Sequence, residues 1–113
     1  VSEERNRRSL GYILESIELI QHWARSGRDT FLTDDLIQNA ALYRLETLAD
    51  AASKLPTVLR DRHPQIPWRD ITDFRNRVSH GYLALDLDLV WRVIQVDLPA
   101  LKQTVEEELR RHS

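Results

Sequence analysis

The chain has 113 residues, 42% hydrophobic and 30% charged, with three glycines and four prolines. That composition predicts one globular, helix-rich domain over residues 1–113 and excludes a disordered segment. The net charge of -2 excludes a globally basic nucleic-acid binder, so any RNA contact needs a local basic patch. The absence of cysteine removes disulfides, thiolate nucleophiles and cysteine metal sites. No apolar run approaches the roughly 20 residues that span a membrane, and the charged start Ser2-Glu3-Glu4-Arg5 has no signal-peptide pattern after it. A cytoplasmic protein is the expectation. Of the 16 basic residues only Lys54 and Lys102 are lysines, a usage that suits phosphate clamps and ion pairs alike.

Leu10, Ile13, Leu14, Ile17, Ile20 and Ala24 have helical spacing and predict a first helix, with Gly27 as its stop. Thr33 precedes Asp34 and Asp35 and is the expected N-cap of a second helix. That helix carries Leu36, Ile37, Ala40, Ala41, Leu45, Leu48, Ala52 and Leu55 and closes at Pro56. The two helices predict an antiparallel hairpin. Residues 57–67 read as a short helical turn and an extended bend punctuated by Pro64 and Pro67. Trp68 opens a third helix with Ile71, Phe74 and Val78 inside and Gly81 at its end. Asp86 or Asp88 caps a fourth helix with Leu89, Val90, Val93 and Ile94. Pro99 sits near the start of a fifth, whose inner face is Leu98, Leu101, Val105 and Leu109. No strand pattern or repeat is visible. The expectation is an all-α compact bundle of about five helices.

The chemistry concentrates in the segment Arg75-Asn76-Arg77-Val78-Ser79-His80-Gly81-Tyr82. Histidine moves protons near neutral pH, and arginine clamps phosphate with a planar fork of donors. Asn76 and His80, four apart, share a helix face. Arg75 and His80 are five apart, roughly 140° around the helix. That spacing favours a cleft completed by a second copy across a two-fold axis. With RNA, the 2′-hydroxyl is the nucleophile. His80 takes its proton or gives one to the leaving 5′-oxygen, Arg75 offsets phosphorane charge, and Asn76 orients. Neither a metal nor a cofactor is required, and DNA is inert.

Other readings stand beside that one. Arg69, Asp73 and Arg77 are spaced as a surface ion-pair ladder, although Arg69 and Arg77 also lie where RNA phosphates would pass. His80 at a helix C-terminus also complements the macrodipole. Trp68, Trp91 and Tyr43 are candidates for base stacking, but their helical positions favour core or interface. His22 and His63 have no partner at ligand spacing, which argues against a metal site. Glu106-Glu107-Glu108 reads as a solvated helix end. A non-catalytic partner or regulatory subunit of a nucleotidyltransferase, or a nucleotide-binding module, would also use these residues.

The segment Arg75-Asn76-x-x-x-His80-x-Tyr82 resembles the RX4HXY motif of HepT-like toxins, ribonucleases of the HEPN superfamily. Ile66-Pro67-Trp68-Arg69-Asp70-Ile71 is similar to the family's lead into the motif helix, and Val90-Trp91 through Asp97-Leu98-Pro99 to its closing segment. Gln38-Asn39-Ala40 and Arg44-Leu45-Glu46 are similar to its second helix, so the resemblance extends from about Leu10 to Leu109. It implies a dimeric helical bundle that cleaves RNA without metal, with Arg75, Asn76 and His80 in the catalytic set. It implies that Tyr82 is the residue modified with AMP by a cognate MntA-like nucleotidyltransferase antitoxin, which would make this chain the toxin half of a pair. Two departures stand out. Ala49-Asp50-Ala51 replaces a Gly-Glu-Ala segment frequent in relatives, keeping the charge on a shorter arm. Phe74 replaces a frequent methionine, an apolar swap.

Overall fold

A computed structural model describes residues 2–81 and 86–112 of the chain, and among them there are helices and no strand. Helix α1 (Ser2–Trp23) buries the stripe Leu10, Ile13, Ile17 and Ile20 and runs into a single 3₁₀ turn (Ala24–Ser26). Gly27 then takes φ +96°, a conformation that an L side chain rarely adopts. There the chain turns into a short helix absent from the sequence expectation, α2 (Arg28–Thr33). Phe31 of α2 is buried and meets Trp91 with ring centroids 5.5 Å apart.

The cap of α3 (Asp35–Ser53) is Asp34, not Thr33. Asp34 is extended at φ -108°, and its Oδ1 accepts from the N–H groups of Leu36 at 2.9 Å and Ile37 at 3.2 Å. Thr33 belongs instead to the last turn of α2, where its hydroxyl donates back to the Asp29 carbonyl. Caps of this kind are worth about 1 kcal/mol.

Helices α1 and α3 pack together as the predicted hairpin, with α7 packed on α1 and α5 packed on α3. Polar bolts fix the register of the hairpin. The Tyr12 hydroxyl donates to Thr47 at 2.6 Å, Arg44 donates to buried Ser16 at 3.0 Å, and the Arg44 guanidinium stacks 5.2 Å from the Tyr12 ring centre.

Pro56 opens the short helix α4 (Thr57–Asp61), and a bend leads to α5 (Trp68–Gly81). The Trp68 indole N–H is shared between the carbonyls of Arg60 and His63, at 3.1 and 3.0 Å. This pins the first residue of α5 to the bend beyond the end of α3. Trp68 also packs, half-buried, against the core.

Asp86 caps α6 (Leu87–Arg92), as one of the two expected aspartates. The fourth and fifth helices are joined without a break by a widened π turn (Val93–Asp97) into α7 (Leu98–Arg111). Val90, Ile94 and Leu98 are all buried at four-residue steps. In an ordinary helix such steps drift by about 40° each. The wider turn absorbs the drift and keeps all three facing the core.

The C-terminal helix holds a surprise. Glu108, read from sequence as part of a solvated end, is completely buried. Arg62 reaches it with a two-point fork at 2.8 and 3.1 Å, and His63 Nε2 lies 2.5 Å from its Oε2. His63 itself is buried, so this histidine has a structural partner that spacing along the chain could not show. The Arg62 fork, with His63 and despite burial, holds the Glu108 carboxyl well below the usual range, at about 2. The cluster ties α7 to the bend in front of α5.

Candidate functional site

Helix α5 is sharply two-faced. Ile71, Phe74 and Val78 point inward, and Arg69, Asp73, Asn76, Arg77 and His80 are exposed. Arg75 falls on the edge of the inner face. Its long apolar arm can lie along the helix while its charged head reaches outward. That head is only 35% exposed, and its Nη1 donates to Asp50 Oδ1 of α3 at 3.0 Å. The other carboxylate oxygen of Asp50 holds Lys54 Nζ at 3.0 Å.

Asp50 thus bridges two cations, and the trio keeps one net positive charge. Half-exposed ion pairs add little stability, so the value of this arrangement lies in placement. The described bond to Asp50 uses one of the five guanidinium N–H groups. Arg75 Nε is buried without a hydrogen-bond partner, a costly state for a donor. The head is held by one carboxylate and keeps donors for an anion.

His80 stands one helical turn beyond Asn76 on the exposed face. Arg75 and His80 therefore belong to the same end of one helix but leave it in different directions, the arginine toward α3 and the histidine to solvent. Arg77 lines an apolar groove of about 610 Å³ between α3, α5 and the α6–α7 rod, alongside Leu48, Phe74, Val93 and Leu101. Arg69 lines a separate, more polar groove with Arg60, Asp61 and Asp73. Neither groove includes Arg75 or His80. Tyr82 lies outside the described residues. Among the described residues no three His, Asp or Glu side chains come together as a ligand set, and no helix is long and apolar enough to cross a membrane.

Two residues of the site went unassigned in the sequence reading, Asp50 and Lys54. A signal was present: an acid flanked by two alanines in an otherwise apolar stretch of α3, the place where the motif-bearing helix packs. Its partner, however, is 25 positions away.

Residues 13–108 match the family described as “Ribonuclease HepT-like”. The chain belongs to the HepT-like ribonuclease family. The match runs from Ile13 in α1 to Glu108 in the last turn of α7, and so includes Asp50, Arg75, Asn76 and His80. Among relatives, the Thermococcus cleftensis protein named “Probable ribonuclease HepT” is 33% identical over 96 residues, spanning 84% of this chain and 87% of that protein. A Caldanaerobacter subterraneus subsp. tengcongensis protein named “Putative RNase” is 28% identical over 103 residues, 90% and 92% of the two chains. A Methanocaldococcus jannaschii protein named “Gamma-glutamylcyclotransferase and putative RNase” is 35% identical over 97 residues. That region is 85% of this HepT-like chain but only 44% of the Methanocaldococcus protein, so the chain spans less than half of it. No solved structure matches.

Proposed function

We propose that this HepT-like chain is an endoribonuclease that cuts RNA without a metal ion, and that Arg75, Asn76 and His80 carry the reaction. The observation that carries the proposal is the placement of Arg75, tethered to Asp50 and still cationic, at the end of a helix whose next turn presents an exposed histidine. Family membership and relatives named as ribonucleases support it.

The ribose 2′-oxygen attacks the adjacent phosphorus and the bond to the 5′-oxygen breaks. His80 moves the proton, taking it from the 2′-hydroxyl or giving one to the leaving oxygen. Arg75 donates to the non-bridging oxygens as their charge grows, a contribution made in the transition state. Asn76 shares the face of His80 and orients it or the phosphate. The products are a 2′,3′-cyclic phosphate and a 5′-hydroxyl. Because Arg75 and His80 diverge around the helix, a homodimer that faces two copies of α5 brings an arginine and a histidine onto one phosphate. Arg69 and Arg77, both exposed on the same helix, offer further phosphate contacts on either side of Asp73.

The proposal extends to control. The chain is the toxin of a toxin–antitoxin pair in the cytoplasm, and an MntA-like nucleotidyltransferase silences it by transferring AMP from ATP to the hydroxyl of Tyr82, with release of pyrophosphate. The added phosphate sits two residues from His80 and repels RNA from the cleft.

The test is an RNA with a single 2′-deoxy substitution at its mapped cleavage position. Cleavage there is abolished, while a 2′-deoxy substitution three residues away leaves it intact. Equal cutting of both would remove the 2′-hydroxyl from the mechanism.

A further inference from the structure

We infer that Tyr43 is the stacking platform that receives a base of the RNA strand whose phosphate lies at Arg75; this rests on the ribonuclease reading above. Tyr43 is 61% exposed in the middle of α3, so it is no core residue. Its neighbours behave otherwise. Leu42 and Leu45 are buried, and Arg44 is turned inward onto Ser16 and Tyr12. The exposure is thus a property of one side of α3, not of a loose segment.

That side is the side of Asp50. Seven residues separate Tyr43 from Asp50, which places them within about 20° of one another on the helix and about 10 Å apart along it. Helix α5 begins at the bend beyond the end of α3, where Trp68 is held by Arg60 and His63, and meets Asp50 through Arg75. It therefore runs back along α3. The five steps from Arg75 to His80 rise about 7.5 Å, toward the level of Tyr43.

The Tyr43 ring thus stands beside the reacting end of α5, on the edge where Arg75 emerges. Stacked bases follow one another at about 3.4 Å, so three steps cover the distance between the Asp50–Arg75 pair and Tyr43. Between them stand Glu46 and Thr47, half-buried and polar. This stretch does not suit a continuous apolar docking helix. An exposed aromatic face binds any base, so Tyr43 confers grip without sequence preference.

The test measures binding without turnover. His80→Ala protein is titrated against a fluorescein-labelled single-stranded RNA of mixed sequence, alone and with Tyr43→Ala, Tyr43→Phe or Tyr43→Trp added. Tyr43→Ala weakens binding on the order of ten- to a hundred-fold, whereas Phe and Trp stay within a few-fold of the parent. The dependence of Kd on salt keeps its slope in all four, because no phosphate contact is lost. The native mass in solution is unchanged. Full binding by Tyr43→Ala, loss in Tyr43→Phe as large as in Ala, or a change of oligomeric mass on Tyr43→Ala would each overturn the inference while leaving the ribonuclease reading standing. Failure of the parent to bind RNA at all would overturn both.

Discussion

Replacing His80 with alanine slows RNA cleavage by about two to four orders of magnitude while leaving the folded protein as stable as before. The rate effect is that of losing a positioned proton-transfer group. The stability expectation follows from exposure, since the side chain lies on the solvent face of α5 and surface changes away from special features stay within about 0.5 kcal/mol. Arg75→Ala costs about two to three orders of magnitude in rate, and it also strips Asp50 of one of its two cations. Asp50→Asn keeps the shape but slackens the hold on the guanidinium, so its loss of rate is smaller than that of Arg75→Ala. Single-turnover cleavage beside thermal melts separates the two kinds of effect. The double variant His80→Ala with Arg75→Ala is far less than multiplicatively worse, because the two groups act on one phosphate. A His80→Ala protein that cuts at the parental rate would remove the histidine from the reaction.

The largest effect on stability comes from a residue with no part in the chemistry. Glu108→Ala destabilises the protein by about 3–5 kcal/mol, because it leaves Arg62 and buried His63 facing a hole where a carboxylate stood. Denaturant titration reads this directly. The same carboxyl makes stability pH-dependent with a definite sign. Its folded-state pKa lies at about 2, below the ordinary value of 4.5. Its contribution is therefore fully present above about pH 5 and is lost as the pH falls from 4.5 toward 2, where the folded form must also take up the proton. Glu108→Gln, which carries no titrating carboxyl, flattens the stability profile across that acid window and is less stable than the parent at neutral pH. An unchanged acid profile in Glu108→Gln would show that other carboxylates govern it.

The parts of the fold that were legible in the sequence are those written in local periodicity. The buried stripes of α1, α3, α5 and α7, the turn at Gly27, the stop at Pro56 and the cap at Asp86 all follow from spacing and backbone chemistry within a few residues. The first turns of α1 were not legible, because they are polar and carry no stripe; Arg7 reaches across to the His112 carbonyl at 2.6 Å, a partner 105 residues away. Thr33 and Asp34 are both good caps by type, and the short helix α2, too brief to show a period, decided between them. Glu108 looked solvated because two acids precede it, while its hydrogen-bond partners are 45 and 46 residues distant.

The candidate site divides along the same line. Arg75, Asn76 and His80 stood out because their types and spacing suit the proposed chemistry, and the family they resemble is the one to which the chain belongs. Asp50 stood out only as a departure. Its pairing with Arg75, like the exposure of Tyr43, depends on how α5 lies on α3, which no local pattern encodes.

The central claim is tested most directly by the ends that the protein leaves on RNA. Incubated with single-stranded RNA in excess chelator, the protein is expected to yield fragments with 2′,3′-cyclic phosphates and 5′-hydroxyls, and the His80→Ala protein none. Fragments carrying 3′-hydroxyls and 5′-phosphates, cleavage that stops when the chelator is added, or equal cleavage by the variant would contradict it.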